Sequence, residues 1–435
     1  TGPVYSVSTA SISTLTQGLT LSGVISGGST GSTAVVLTKA GAGTMVLSNA
    51  TNTFGGTGSI IDVTAGILQV SANAALGNST NVVRLSANSA TQGLRLAGGT
   101  SYTLTGRTIN LNAATVGVDV TAGTTATLDT AFTFSAAGNA LQKNDLGTLI
   151  ITANNSTRTG TTTIVQGVIQ INNANALGSG QIRLNHPSNG GGAALYLTSG
   201  ITVLNPIDMA VGAFSATGIN NTGGVFSASG VNSIGTVGAV TNTGSTGITF
   251  GAANGATLNI GSLALGNSMT FNAVGTGIIN LNGDINASTN PTKIGIGTLN
   301  VTANVTSAAG DGTATKGWYI NQGTMNISGA AGRLSSATGS IIINNNALLN
   351  VDDTAAVLTR IGGTARLMNL ANGSFTFVAN GTSASALQFG ELTSTWGGNT
   401  ITLNNAGAAN ATLTFANMKS NVVNGGSILQ FSSSQ

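Results

Sequence analysis

Asp352-Asp353 is the only adjacent pair of carboxylates in the chain, and acid–base chemistry is what such a pair could perform. Glycoside hydrolysis, for example, uses two carboxyl groups that flank the bond to be cleaved. The pair ends a strand-like run at 341–351, where neighbouring side chains face opposite sides, so both could share a site only at a turn. The other acidic residues are spread along the chain. We interpret the pair as a solvated corner and predict that the protein is not an enzyme.

Calcium binding is the second chemistry that these acids suggest, because hard cations prefer oxygen ligands. The candidates are Asp352, Asp353 and Asp311, which stands in the segment Gly310-Asp-Gly-Thr. Neither segment matches the nonapeptide calcium-binding repeat. We therefore predict no catalytic residue, no cofactor and no metal site, and keep these three residues as the calcium candidates.

The single histidine, His186, is the third candidate for chemistry. A nucleophilic site needs a histidine beside a serine and oriented by an acid. No acidic residue lies between Asp145 and Asp208, so we interpret His186 as a loop residue before a proline. The glycine run at 190–192 lacks the Lys-Ser/Thr of a phosphate-binding loop. It predicts a flexible loop between strands.

The composition limits the elements that could position such residues. Only 5% of the residues are charged, against about 25% in ordinary proteins. Helix-rich folds take their exposed positions from Glu, Lys, Arg and Gln, whereas a disordered chain is poor in apolar residues, and here 41% are hydrophobic. The chain has no cysteine, so neither disulfides nor thiolate metal sites are available. These counts predict a β-rich, extended or repetitive protein.

Net charge and aromatic content limit the partners. The net charge is +3 over 435 residues, and the cations are scattered singly from Lys39 to Lys419. Nucleic-acid binding requires clustered Lys and Arg, so we predict neither a nucleic acid nor an anionic membrane as partner. No run approaches 18 apolar residues, which predicts no transmembrane helix. The aromatic pair at 318–319 and Trp396 are either core packing or platforms for a partner.

Strand signals recur along the whole chain. They are runs of about four to eight residues rich in apolar and β-branched types, with alternating character and with Gly, Asn, Ser or Thr at their ends. The segment at 354–370 has a helix-like spacing of leucines, but Gly362-Gly363 interrupts it, so a helix and a strand–turn–strand both stay open. The clearest predicted strands lie at 59–63, 66–70, 161–165, 167–171, 256–260, 339–344 and 400–403.

Three segments share one order of motifs. A Gly-Thr strand start is followed by an Asn-containing loop, then by a second strand that begins with or near glycine, and in two segments by a Leu-Gly turn. The copies begin at Gly41, at Leu146 and, for a partial third copy, at Ile296, too far apart for tandem modules. The residues that we predict to form the repeated rungs and turns are Gly41, Gly43, Thr44, Leu47, Asn52, Phe54, Gly66, Leu68, Val70, Leu76, Gly77, Gly147, Thr148, Leu149, Gly167, Ile169, Ile171, Leu177, Gly178, Gly297, Thr298 and Leu299.

This order of motifs resembles the passenger-associated transport repeat of bacterial autotransporters. The first copy fits the pattern closely, and the second departs where Arg158 stands in place of an aromatic residue. The resemblance implies a right-handed parallel β-helix displayed outside the cell. It covers about a quarter of the chain.

The residues and the resemblance together predict the fold class: all-β, a right-handed parallel β-helix (β-solenoid) with Gly/Asn/Thr-rich turns. Such a coil grows by stacking of neighbouring rungs, so its length needs no larger globular core. We predict an N-terminal strand or cap segment at 1–40, which is a candidate inter-subunit contact. Residues 41–435 are then a continuous β-helix with loop excursions near 186–192 and 305–320.

The distribution of charge suggests the function. Residues 1–38 and 209–283 carry no charge, although exposed edges and surfaces usually carry charges that resist association. We therefore predict an extracellular structural protein that self-assembles into a filament, sheath or surface layer, with copies of itself as partners. The alternative is an autotransporter-like adhesin on the bacterial surface, with a cell-surface or glycan ligand. A third class, an ice- or carbohydrate-binding solenoid, would show a Thr-x-Thr ladder at constant period, and no such period is visible.

Overall fold

The structure, a computed structural model, is all-β and confirms the predicted fold class. Its strands pair in parallel and form a β-solenoid, and the one helical element among the described residues is the 3-10 turn Asn73–Leu76. Within that part of the chain, no helix has the length and apolarity that a membrane crossing needs. The described residues are 5–6, 10–13, 18–28, 34–184, 192–209, 223–235, 240–241, 248–265, 268–287, 290–307, 317–335, 339–355, 360–361, 364–405, 407, 409–420 and 426–434.

The chain divides into two compact units. The first comprises residues 1–196 and 205–210, and the second comprises residues 197–204 and 211–435. The strands of the first unit are β1 (Tyr5–Ser6), β2 (Ala10–Ser13), β3 (Leu19–Leu21), β4 (Ile25–Ser26), β5 (Val35–Ala40), β6 (Thr44–Leu47), β7 (Ile60–Val63), β8 (Ile67–Val70), β9 (Val82–Leu85), β10 (Ser89–Leu96), β11 (Ser101–Thr103), β12 (Ile109–Leu111), β13 (Thr115–Val120), β14 (Thr125–Leu128), β15 (Thr133–Phe134), β16 (Ala140–Asn144), β17 (Thr148–Ile151), β18 (Thr162–Ile164), β19 (Gly167–Ile171), β20 (Ile182–Leu184), β21 (Ala193–Leu197) and β23 (Ile207–Asp208).

Three parallel sheets form the walls of the first unit. One has the order β3-β6-β8-β10-β13-β16-β18-β20-β23, the second β2-β5-β7-β9-β12-β15, and the third β11-β14-β17-β19-β21. Each strand pairs with the strand of the next coil. A residue therefore lies over a partner 20 to 27 positions further on; Thr162, for example, pairs with Ile182. The strands β1 and β4 pair with each other.

The second unit repeats this construction. We call its three parallel sheets sheet I (β24-β27-β30-β33-β36-β39-β41-β43-β44), sheet II (β22-β25-β28-β31-β34-β37-β40-β42-β43-β45) and sheet III (β26-β29-β32-β35-β38). The long strand β43 takes part in both sheet I and sheet II. The strands are β22 (Thr202–Val203), β24 (Val225–Ser227), β25 (Val231–Ile234), β26 (Val240–Thr241), β27 (Ile248–Ala252), β28 (Thr257–Ile260), β29 (Leu263–Leu265), β30 (Met269–Ala273), β31 (Ile278–Leu281), β32 (Ile285–Ala287), β33 (Thr292–Ile294), β34 (Thr298–Val301), β35 (Asn304–Ser307), β36 (Gly317–Ile320), β37 (Thr324–Ile327), β38 (Arg333–Leu334), β39 (Ser340–Asn344), β40 (Leu348–Asp352), β41 (Leu367–Ala371), β42 (Ser374–Val378), β43 (Ser385–Asn404), β44 (Ala411–Ser420) and β45 (Ser427–Ser434).

Alternation along each strand separates the core from the surface. In β28, β31, β34 and β37, every second residue is fully buried and the residues between are half-buried. Stacking of coils therefore builds continuous apolar columns inside the solenoid, with apolar burial as the main stabilising term. On sheet I the column includes Phe250, Phe271 and Trp318, whose rings stack with centroids 6.0 and 6.2 Å apart.

The seven strands singled out in the sequence are all present. Each overlaps an observed strand, and the last lies within β43. The segment at 354–370 contains no helix among its described residues; Ile361 forms a β-bridge with Leu334, and β41 begins at Leu367. The loop regions predicted near 186–192 and 305–320 lie largely outside the described residues, and the boundary at residue 40 stays a prediction.

Candidate functional site

Three buried lysines lie at the same kind of corner, which is the turn between two successive strands of one coil. Each lysine is in the strand before the corner, and a Gly-Thr pair starts the strand after it. The Nζ of Lys143 donates hydrogen bonds to the carbonyls of Asn144 (2.8 Å) and Asp145 (2.5 Å), and to that of Gln166 (3.0 Å) in the next coil. The other two make the same three types of contact at 2.6 to 3.1 Å. The three lysines, all without exposed surface, are Lys39 in β5, Lys143 in β16 and Lys293 in β33.

Burial shifts the titration of these lysines. Desolvation lowers the pKa of Lys39, and it lowers the pKa of Lys143 and that of Lys293 to about 7. Three carbonyl acceptors match the three N–H donors of an ammonium group, so the corner supplies the hydrogen bonds that the charged form requires. Each lysine therefore joins one coil to the next at a turn, where carbonyls point inward without a strand partner.

Glycine completes each corner in the following coil. Gly66 and Gly167 have φ values of +67° and +73° and lie against the carbonyls of the corner below. A Cβ at Gly66 would collide with the carbonyl oxygens of Gly41 and Gly43 and with the amine of Lys39. Both the backbone conformation and the close approach therefore require glycine at this position.

Asparagine joins neighbouring coils at the loop of each of the first two copies. Asn52 accepts a hydrogen bond from the backbone N–H of Ile25 (2.8 Å) and donates one to the carbonyl of Ala75 (2.8 Å). Asn155 makes the equivalent pair of contacts, with Phe132 and Ala176, at 2.7 Å each. One side chain thus bridges the coils on both sides of its own, which gives this repeated residue a structural role.

Arg158 takes the place that Phe54 has in the first copy. Both side chains are fully buried, and the backbone carbonyl of each accepts a hydrogen bond from the residue after a Leu-Gly turn, Asn78 or Ser179. Where Phe54 fills its site with a ring, the Arg158 guanidinium donates to three backbone carbonyls and to the hydroxyl of Thr162 at 2.7 to 3.2 Å. Burial lowers the pKa of Arg158 to about 10, so it stays charged at neutral pH.

Many of the Lys and Arg side chains lie in the interior of the solenoid. Of the Lys and Arg residues in the described part of the chain, seven are buried. Among them is Arg107, whose guanidinium reaches four backbone carbonyls of the Leu76-Gly77 region within 3.3 Å. Four arginines form ion pairs with aspartates, and the carboxylates of these pairs are nearly buried. The ion pairs are Arg84–Asp62, Arg95–Asp119, Arg183–Asp208 and Arg360–Asp353.

The acidic pair is divided between the surface and the interior. Asp352 is half-buried and accepts a hydrogen bond from the backbone N–H of Thr354, whereas Asp353 is 3% exposed. The Asp353 carboxylate accepts from the Ser385 hydroxyl (2.9 Å) and pairs with Arg360 (3.3 Å). No group of three or more His, Cys, Asp or Glu side chains suited to a metal occurs in the described part of the chain. Asp311 and His186 lie outside it.

The aromatic residues divide in the same way. Trp318 is 1% exposed and belongs to the core stack, so of the two alternatives it is core packing. The neighbouring residue Tyr319 is half-buried on the outer side of β36. Trp396 is 42% exposed, near the corner where β43 passes from sheet I to sheet II. It is the one of the three aromatic candidates with a substantial exposed surface.

Sheet II carries a continuous row of amides on its outer face. Each side-chain amide donates from Nδ2 to Oδ1 of the residue one coil earlier, at 2.7, 2.8, 2.9 and 3.4 Å in chain order. Two residues earlier on each strand, a second outer column runs parallel to the first, and it contains Thr257, Ile278, Thr298, Thr324 and Leu348. We call the first row the amide ladder; its members are Asn259, Asn280, Asn300, Asn326 and Asn350.

Two stretches of the chain match one family model, at residues 37–70 and 141–171. The model describes the Passenger-associated-transport-repeat, a repeat of autotransporter passenger domains. Residues 37–70 and 141–171 are thus similar to passenger-associated transport repeats. None of the curated proteins and none of the solved structures compared with the chain matches it. The repeat family implies display at the surface or outside the cell.

In both passenger-associated transport repeats, two strand–corner–strand pairs stack on one another. The first repeat comprises β5 to β8, and the second comprises β16 to β19. Corresponding strands pair across the coils, so each repeat is one corner placed directly on another. The third segment, at 293–327, has the same corner, with Lys293 before it and Gly323 at φ +68° in the next coil.

The lysine of the passenger repeat is the site residue that the sequence motifs missed. It stands four residues before the glycine of each Gly-Thr strand start, at Gly43, Gly147 and Gly297. That constant distance is the signal in the sequence, but the lysine precedes the glycine motif and is not part of it. A lone cation between strands resembles a solvated surface residue, and only the fold shows that it lies inside.

Proposed function

We propose that this chain is a non-enzymatic, extracellular structural protein of the bacterial surface that self-associates through the last coil of its second unit. The passenger-associated transport repeats support the location. Ion pairing of Asp62, Asp119, Asp208 and Asp353 supports the absence of catalysis, because these carboxylates are engaged in holding the fold. The exposed strand edge of the last coil is the observation that supports self-association.

The last coil, formed by β44 and β45, presents apolar side chains, and its edge strand β45 is uncharged, whereas β44 carries Lys419. On β45, Ile428 is 74% exposed and Phe431 is 52% exposed, although Phe431 lies over the buried Ile401 in the inner column. On β44, Met418 is 60% exposed. An edge strand offers unpaired N–H and C=O groups, and natural proteins usually protect it with charge or proline. The eight residues of β45 have neither, so a strand of a second copy can add to this edge.

Charged substitutions on this edge test the proposal. In sedimentation velocity over a concentration series, we expect the wild-type protein to form larger species as concentration rises. The double variant Ile428→Lys/Phe431→Lys places two cations on β45 and should remain monomeric, because lysine opposes edge pairing. Negative-stain imaging of the same samples should show end-to-end assemblies of the wild type only.

A matched control separates edge pairing from general hydrophobicity. Ile296 is 70% exposed in the turn before β34, away from the last coil, so Ile296→Lys should leave assembly unchanged. A wild-type protein that stays monomeric at every concentration contradicts the proposal. So does an edge variant that assembles as well as the control.

An adhesin is the second candidate function, and the amide ladder is the observation in its favour. The ladder is a regular, half-exposed array of hydrogen-bonding groups, and assembly through the last coil does not use it. Its ligand chemistry is argued in the next subsection.

A further inference from the structure

We infer that the outer face of sheet II in the second unit binds a neutral, extended polysaccharide along the amide ladder. The site is formed by the ladder together with the parallel column that contains Thr298 and Thr324. This inference is independent of the proposed self-association, which uses the last coil.

The amides of the ladder hold one another in a fixed orientation. An asparagine amide has two N–H donors and an oxygen that accepts two hydrogen bonds. Asn280, Asn300 and Asn326 each use one donor and one acceptor position within the ladder. One N–H and one acceptor position per amide are left, and these residues are only half-buried. The remaining groups therefore present a donor and an acceptor at every coil, with little freedom left to lose on binding.

The spacing of the array is regular in two directions. Successive coils of a parallel sheet lie about 4.8 Å apart, and residues two positions apart on a strand are separated by about 6.6 Å. A hydroxyl group both donates and accepts, so a sugar with adjacent hydroxyls can satisfy the free N–H and the free oxygen of one amide. An extended polysaccharide repeats such hydroxyls along its length, as the ladder repeats its amides along the solenoid. The ladder therefore matches a polysaccharide that lies along the axis of the solenoid and contacts one ladder residue in each coil.

The absence of charge selects a neutral ligand. The ladder and the parallel column contain no Lys, Arg, Asp or Glu over five successive coils, so an anionic polysaccharide would gain no charge pairing there. The parallel column, in which Ile278 and Leu348 stand between the threonines, continues into Ser374 and Thr400, and the ladder register continues into Thr376 and Thr402. Trp396, four residues before Thr400, adds an exposed ring of the kind that packs against the apolar face of a sugar.

Retention on insoluble polysaccharides tests the inference. The full chain is mixed with microcrystalline cellulose, with chitin and, as an anionic comparison, with calcium alginate beads, and the unbound fraction is measured. We expect saturable binding to cellulose or chitin that persists in high salt, and no binding to alginate above background. The double variant Thr298→Arg/Thr324→Arg leaves the ladder amides in place but covers them with long charged side chains. It should bind at least about tenfold more weakly, which corresponds to about 1.4 kcal/mol.

The control variant is Thr306→Arg, an exposed threonine on β35 of sheet III, which should bind as the wild type does. Far-UV circular dichroism confirms that each variant keeps the β-fold. Two results overturn the inference: a wild type that neither cellulose nor chitin retains, or a double variant that binds as tightly as the control. A sheet II face that is occupied by a second copy, shown by a dimer that only the double variant loses, also overturns it.

Discussion

Lys39, Lys143 and Lys293 make the same three types of hydrogen bond at three separate corners. Each ammonium satisfies two carbonyls of its own turn and one of the next coil. Burial of an ammonium is unfavourable, but three inward carbonyls without donors would also be unfavourable. The corner is stable because the ammonium donates hydrogen bonds to the carbonyls, so neither group is left buried without a partner.

The first prediction concerns loss of this donor. Lys143→Met keeps the aliphatic stem but leaves the carbonyls of Asn144, Asp145 and Gln166 without their donor. We expect a loss of about 2 kcal/mol in the free energy of unfolding. Urea denaturation followed by far-UV circular dichroism below pH 7, where the lysine is charged, measures the change. Lys419→Met removes an exposed lysine and should be neutral, and equal stability of the two variants would refute the structural role.

The second prediction concerns pH. The pKa of Lys293 is about 7 in the folded protein, below its ordinary value of 10.5. Between these values the unfolded chain binds more protons than the folded chain, so stability rises with pH across this window and falls as the pH drops through 7. From about pH 6 to about pH 9 the gain from this residue is about 2 kcal/mol.

Trp318 provides a local readout of this effect in a Trp396→Phe background, where it is the only tryptophan, because β36 pairs with the strand of Lys293. The urea midpoint from its emission should rise with pH in this background and less steeply when Lys293→Met is added, because Lys143, whose pKa is also about 7, still contributes. Parallel pH profiles for the two proteins would show that Lys293 does not titrate in this range.

The stacked corner is the unit that repeats at the scale of elements. Glycine is required there both for its positive φ and because the neighbouring coil approaches closely, and the third prediction separates these two effects. Gly66 and Gly106 have nearly the same φ, +67° and +66°, but a Cβ at Gly66 collides with the corner below whereas one at Gly106 meets nothing within 4 Å. Alanine at Gly106 should cost only the backbone strain of about 1 kcal/mol, and alanine at Gly66 should cost at least about 2 kcal/mol more.

Thermal unfolding of the two alanine variants beside the wild type measures this difference. Similar losses would mean that the neighbouring coil shifts to make room, and that the contact does not fix the stacking.

Sequence and structure agree on the strands for an identifiable physical reason. The run 66–70 begins at a glycine, and every second residue of its strand is buried, which confirms the predicted alternation. The core positions Leu68, Val70, Ile169 and Ile171 follow directly from it. The passenger-repeat motifs likewise mark their corners, because glycine at positive φ has few substitutes.

The amide ladder could not be predicted in the same way. Its members are separated by 21, 20, 26 and 24 residues, so no constant period exists in the sequence. The loops differ in length from coil to coil, whereas the strands restore the register each time. Alignment of the asparagines is therefore a property of strand pairing and is visible only once the coils are stacked. The burial of Arg158 could not be predicted either, because no periodic pattern in the sequence indicates a buried cation at a position where the first copy has an aromatic residue.

At the scale of the whole molecule, the 23 charged residues are few and much of the charge is internal. Among the residues that the structure describes, seven cations are buried and four arginines are paired with aspartates. The outer surfaces are therefore built mainly of Thr, Ser, Asn and Gly. Association of such surfaces rests on apolar contact and strand pairing, both of which salt screens little, whereas association through exposed charges weakens as the Debye length falls.

The fourth prediction follows from this distribution of charge. The weight-average mass of the wild type at a fixed high concentration should be the same in low and in high sodium chloride, because β45 has no charge to screen. Ile428→Lys/Phe431→Lys provides the contrast: its added cations repel at low salt, so partial recovery of association at high salt is expected for this variant alone. Sedimentation equilibrium of both proteins across a salt series makes the comparison. Dissociation of the wild type at high salt would identify charge pairing as the force between copies and would exclude the uncharged edge as the main contact.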